Sequence, residues 1–148
     1  MSKFPALPFE LTPLVRDTCL CLHAQRAARA LARRFDEALR PLDLTNGQFS
    51  LLMSLNRPVP PNLGSVAALL AMDRTTLTAA LKVLERRKLV KVAVDKEDKR
   101  NRLLIITPAG RALLNEAFPI WKEAHAEVDR QLAELGPDAL RTALRTLA

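Results

Sequence analysis

No segment constrains the fold of this chain more tightly than residues 73–111, which read DRTTLTAALKVLERRKLVKVAVDKEDKRNRLLIITPAGR. Asp73 is a good N-cap, and Leu77, Ala80, Leu81 and Leu84 follow at i, i+3, i+4 and i+7 spacing. That pattern predicts an amphipathic helix to about Lys88. Residues 89–94 and 103–106 are short and apolar with many β-branched side chains, so they predict two paired strands. Between them residues 95–101 carry six charges in seven positions, as an exposed hairpin tip would. Thr107-Pro108 then supplies a cap and a first-turn proline for another helix.

The outer face of the predicted helix is small, polar and basic: Arg74, Thr75, Thr76, Thr78, Ala79, Lys82 and Arg86. Such a face suits the major groove of DNA. An arginine near the helix start can donate two hydrogen bonds to guanine, and threonine and alanine methyls can meet thymine. The hairpin tip adds Lys96, Lys99, Arg100 and Arg102, which can follow phosphates or enter a narrow minor groove. Asp98 is expected to pair with Arg100 and hold its guanidinium. The bland alternatives are a solvated bundle helix and a solvated turn. A charge excess of 23 − 16 = +7 favours the polyanionic partner.

The remaining chain reads as a frame for this element. With 148 residues, 49% of them hydrophobic and 26% charged, it can bury a core as one globular domain, 1–148. Residues 1–13 hold Pro5, Pro8 and Pro13 and predict an extended arm. Residues 14–39 lack Pro and Gly and predict one continuous helix of about 26 residues, closed by Pro41. Thr45 caps a helix to about Asn56, the prolines at 58, 60 and 61 stiffen a connection, and residues 63–70 form a short helix. With the Asp73 helix, that short one makes a helix-turn-helix. After Pro108 a long helix is expected to about Leu135, with a kink or a local loss of hydrogen bonding at Pro119, and residues 138–147 form a last one. The expected fold is mainly α with a small β-wing: a winged helix-turn-helix over 45–107, with N- and C-terminal dimerisation helices at 14–40 and 108–148.

This order of elements, with D-K-R at 98–100 and LLIITPAGR at 103–111, resembles the MarR family of bacterial transcription regulators. The resemblance covers about Leu14 to Leu147. It implies a homodimer on a pseudo-palindromic double-stranded DNA operator, usually acting as a repressor and released by a small-molecule effector or an oxidant. It matches Arg100 to the wing arginine, Asp98 to its partner, and residues 74–82 to the base-reading segment. Leu14, Leu20, Leu113, Leu114, Trp121, Val128, Leu132, Leu140 and Leu144 independently offer more apolar surface than one small winged domain covers.

Cys19, Cys21 and His23 form a second cluster at i, i+2 and i+4. Within a regular helix Cys19 and His23 share a face while Cys21 points about 200° away, so the two thiols cannot bridge each other. The placement resembles the organic-hydroperoxide-sensing branch of the same family, where two tyrosine hydroxyls from the partner subunit flank a reactive cysteine. Cys21 falls on the reactive position, and Phe35 and Asn46 stand at the tyrosine positions of a chain that has no Tyr. The cluster therefore reads either as a redox or effector site or as small core side chains at a dimer interface. A metal site is not expected, since only His125 and carboxylates remain to complete one.

An enzyme would need a phosphate loop, a nucleophile elbow or a spaced acid–base pair. None is present, and glycine occurs only at 47, 64, 110 and 136. Neither catalytic residues nor a cofactor are expected. The rival readings are a cysteine-dependent redox enzyme and a helical interaction module without DNA binding. Two cysteines so closely spaced, no secretory signal and no apolar run of about 20 residues point to the cytoplasm and away from a membrane.

Overall fold

The computed structural model describes residues 5–148, and its Cα packing divides the chain into two units, up to Arg34 and from Phe35 onward. The first four residues of the expected arm lie outside the described residues. The first unit holds α1 (Leu11–Thr18) and most of α2 (Leu20–Leu39). The second runs through a 3-10 turn (Arg40–Leu42), α3 (Asn46–Ser54), α4 (Leu63–Leu69), α5 (Arg74–Arg86), β1 (Val90–Val94), β2 (Arg102–Ile106), α6 (Pro108–Gln131) and α7 (Pro137–Leu147).

Two expectations for the first unit are corrected. The arm ends early, because α1 begins at Leu11 and accommodates Pro13 in its first turn, where no N–H partner is required. The single helix over 14–39 is broken at Cys19, whose ψ of 107° is extended. Cys19 serves both sides of the break: its N–H closes α1 on the Val15 carbonyl, and its own carbonyl accepts from the His23 N–H at 3.1 Å. Its Sγ accepts from the Leu22 N–H at 3.4 Å, the place an N-cap oxygen would take. The Thr18 hydroxyl donates back to the Leu14 carbonyl and terminates α1 without a proline or glycine. Among the described residues of this unit none is buried.

The second unit has a continuous core. Leu39, Leu52, Val66, Leu77, Leu84 and Leu104 are fully enclosed, joined by Phe49, Leu81, Ile106 and Leu114. Each helix supplies its apolar stripe because its start is chemically fixed. Thr45 and Gln48 form a reciprocal capping box on α3, Asn62 caps α4, Asp73 caps α5 and Thr107 caps α6. Helix α5 ends at Arg86, where Lys88 turns at φ 58° into β1.

Strands β1 and β2 pair antiparallel, with Val90 opposite Ile106 and Val94 opposite Arg102. A third backbone segment joins this pair. Asn62 bridges Leu103, and the Leu104 N–H donates to the Pro61 carbonyl at 2.9 Å. Proline cannot donate to a ladder but can accept, so the proline-rich connection still edges the sheet. Helix α6 continues through Pro119 to Gln131, shorter at its end than Leu135, and Pro119 has no N–H to offer the Asn115 carbonyl. Among the described residues no helix is long and apolar enough to cross a membrane.

Candidate nucleic-acid interface

Helix α5 buries Leu77, Leu81 and Leu84 and turns its other face outward. Arg74, Thr75, Thr78, Ala79 and Lys82 line one shallow exposed concavity of about 360 Å3. Arg86 is exposed one turn beyond Lys82. The Thr78 hydroxyl donates to the Arg74 carbonyl at 2.7 Å, which leaves its methyl and oxygen lone pairs outward. The Thr76 hydroxyl hydrogen is instead committed to Asp73 Oδ2 at 2.7 Å, so Thr76 completes the cap of this helix.

That cap is an electrostatic device. Asp73 lies below the usual carboxylate range because it accepts from the Thr76 N–H, and then from the Thr76 hydroxyl. A carboxylate depressed on folding stabilises the folded state above its unfolded pKa of about 3.9, and that contribution disappears as pH falls through the lower folded value. The gap in urea midpoint between the wild type and Asp73→Ala is therefore expected to be constant from neutral to mildly acid pH and to close below that range. A gap independent of pH would assign the effect to something other than the ionised cap.

At the hairpin tip Arg100 stands almost fully in solvent, 92% exposed, with only a long single contact to Asp98, Nε to Oδ1 at 3.4 Å. The expected pair is present but not bidentate. Asp98 Oδ1 also accepts from the Arg100 N–H at 3.1 Å, so it shapes the turn as much as it holds the side chain. Arg102 folds back, donating from one guanidinium nitrogen to the Lys99 and Asn101 carbonyls at 3.1 and 3.4 Å. Lys96 and Lys99 are exposed. Of the expected wing residues, Arg100, Lys96 and Lys99 are presented outward, whereas Arg102 braces the turn.

Three joints that sequence reasoning missed hold the reading elements in place. Arg87 donates to the Asp43 carbonyl at 2.7 Å and pins the end of α5 to the turn before α3. Asp36 accepts from the Asn46 backbone and side chain at 2.7 and 2.8 Å, and for that reason sits below its ordinary pKa. Thr107 donates its hydroxyl to the Lys88 carbonyl at 2.8 Å and its N–H to the Leu89 carbonyl at 3.0 Å, binding α6 to the root of the wing. These contacts span 10 to 44 positions in sequence, and no local pattern announces them.

Of the second cluster, Cys19, Cys21 and His23 fall in the first unit. Cys21 is exposed and its Sγ accepts from Gln25 Nε2 at 3.2 Å, while His23 Nδ1 lies 2.8 Å from the Cys19 carbonyl. The bar on a Cys19–Cys21 bridge presumed a regular helix, and Cys19 is not helical. Phe35 and Asn46 fall in the second unit. Phe35 is buried with its ring 5.6 Å from that of His125, and Asn46 is engaged with Asp36. Also in the second unit, Phe49, Met53, Leu69, Phe118 and Trp121 line a largely apolar cavity of about 400 Å3.

The model of the MarR family matches residues 44–101, which span α3, α4, α5, β1 and the wing tip. The transcriptional regulator MosR of M. tuberculosis, solved in complex with DNA, is 36% identical, with 87% of this chain and 92% of MosR covered at a TM-score of 0.80. The chain belongs to the MarR family. Two further relatives of this MarR-family chain agree over most of their length. The transcriptional repressor CouR, solved on a 23-mer DNA duplex, is 29% identical over 97% of this chain and 96% of its own, with a TM-score of 0.71. The HTH-type transcriptional regulator SarZ of Staphylococcus haemolyticus is 29% identical over 78% of this chain and 84% of its own. The winged helix-turn-helix expected from residues 73–111 is thus the fold of a DNA-binding transcription regulator.

Proposed function

We propose that this MarR-family regulator binds a pseudo-palindromic operator as a homodimer and represses transcription until an effector or a thiol oxidation releases it. The observation that carries the reading is the outward face of α5, where Arg74, Thr75, Thr78, Ala79 and Lys82 share one concavity above a fully buried leucine stripe. Two such helices about 34–36 Å apart meet successive major grooves on one side of DNA. Arg100 and Lys99 of each wing reach the flanking backbone or minor groove. Dimerisation is supported by apolar residues left in solvent on α1 and the start of α2 (Leu11, Leu14, Leu20) and on α7 (Leu140, Leu144, Leu147). Operator binding of this kind places the protein in the cytoplasm with the DNA.

Thiol control is supported by the position of Cys19 at the α1–α2 break. Its sulfur accepts from the Leu22 N–H at the start of α2 at 3.4 Å. Attack on an organic hydroperoxide forms an S–O bond and breaks the O–O bond. The products are a sulfenic acid and an alcohol, which takes up the thiol proton.

The test is fluorescence anisotropy of the dimer on DNA from upstream of its own gene, across salt concentrations and then with hydroperoxide followed by dithiothreitol. Affinity should fall on the order of a thousandfold between 50 and 200 mM salt if six or more phosphates are neutralised. Oxidant should release the DNA reversibly, and Cys19→Ser or Cys21→Ser should abolish that release. Tight binding indifferent to oxidant would sink the thiol reading. The Phe49–Trp121 cavity would then be the place to look for an apolar effector, since Trp121 is the sole tryptophan and would report occupancy by its fluorescence.

A further inference from the structure

Gly64 is the second residue of α4, and its backbone gives no reason for glycine, because Gly136 alone among the described glycines has a positive φ. Glycine in a helix is poorer than alanine. What the position lacks is a Cβ, and the space a Cβ would take is claimed by Arg74. A methyl there would stand 3.1 Å from an Arg74 guanidinium nitrogen, 3.9 Å from its Cζ and 3.5 Å from Asn62 Oδ1. The guanidinium therefore rests over the bare Cα, next to the side chain that caps α4 through the Ser65 N–H at 2.8 Å. Among the described residues no ion pair holds Arg74, an exposed side chain at the first position of α5.

We propose that Gly64 is a positioning residue for base recognition: its missing side chain forms a shelf that keeps the Arg74 guanidinium in the orientation that meets the DNA. The inference rests on the reading of Arg74 as a base-contacting residue. A flexible arginine loses rotamer freedom when it docks, and a surface that already excludes half of its directions lowers that loss. Bidentate bonds to a guanine edge need both nitrogens near 2.9 Å and nearly coplanar, so a displacement of a few tenths of an ångström weakens them. The shelf thus links the two helices of the helix-turn-helix through a side chain rather than through their buried stripes.

The experiment uses duplexes selected by the wild-type protein from a randomised pool, together with single-position variants of the best one. Wild type, Gly64→Ala, Arg74→Ala and the double variant are compared by anisotropy and by thermal melting. Gly64→Ala is expected to melt no lower than the wild type, yet to bind the selected duplex about three- to tenfold more weakly. Its loss should be concentrated at the base pair whose discrimination Arg74→Ala also removes, and Gly64→Ala should add nothing in the Arg74→Ala background. A loss that is uniform across duplexes and persists without Arg74 would overturn the proposal and make Gly64 a point of close approach to a phosphate. If Arg74→Ala changes neither affinity nor discrimination, the reading of Arg74 fails and Gly64 falls with it. A lower melting temperature in Gly64→Ala with unchanged binding per folded dimer also overturns it.

Discussion

Replacing Arg100 by alanine is expected to weaken operator binding by roughly 10- to 100-fold while the protein stays folded and dimeric. The side chain is 92% exposed and its one ion pair among the described residues is with Asp98, so its removal creates no cavity and strands no buried group. Surface changes of that kind usually leave stability within about 0.5 kcal/mol. The guanidinium is nevertheless presented outward, whereas Arg102 is turned back onto the Lys99 and Asn101 carbonyls. A homodimer loses two copies at once. The slope of log affinity against log salt should fall by about two, one counterion release per wing. Arg102→Ala is the instructive contrast: it should loosen the tip and cost affinity through disorder, with a smaller change in slope. Unchanged affinity and slope in Arg100→Ala would remove the wing from the interface.

The second large effect falls on stability. Gly110 sits in the first turn of α6, and a Cβ there would lie 2.3 Å from the Leu89 carbonyl oxygen and 2.7 Å from Ile106 Cγ1. Backbone cannot swing aside as a long side chain can. Gly110→Ala must push α6 off the wing root, breaking the bonds from Thr107 to the Lys88 and Leu89 carbonyls. Overpacking and the lost hydrogen bonds together are expected to cost about 2–4 kcal/mol, net of the gain in helix propensity. Gly47→Ala is the matched control: its Cβ would meet nothing within 4 Å, so the same substitution in α3 should be neutral or stabilising. Urea midpoints of the two variants decide the matter. Equal midpoints would mean that the wing root is soft enough to yield.

The contrast between these glycines also shows what a sequence exposes and what it hides. The Asp73 cap, the Leu77–Leu81–Leu84 stripe, the Thr107-Pro108 start and the two wing strands are legible because each depends on neighbours within a turn or a strand. The outward face of α5 follows from them by subtraction. The break at Cys19 is not legible: residues 14–39 keep helical periodicity, and the interruption rests on one hydroxyl and one sulfur that are indifferent to pattern. The sheet-edge role of Pro61 is hidden because proline reads as a breaker although its carbonyl remains a good acceptor. Thr76 and Arg102 have the composition of DNA ligands, and only the observed geometry shows their polar atoms bonded to Asp73 and to the wing backbone. The Gly64–Arg74 shelf joins residues ten positions apart across a turn, where no periodicity applies.

The joint at Thr107 has a mechanical consequence. Helix α6 is bonded to the chain on both sides of the wing, directly through Ile106-Thr107 and through the Lys88 and Leu89 carbonyls. Wing and helix therefore tilt together, as a beam tilts with the bracket at its base. Five residues of strand reach about 17 Å from that base, so a rotation of about 10° in α6 sweeps the tip through about 3 Å. That is the full reach of a hydrogen bond from Arg100 to a phosphate. A small change along α6, the helix that carries Trp121, would thereby displace the wing tip by the length of such a bond.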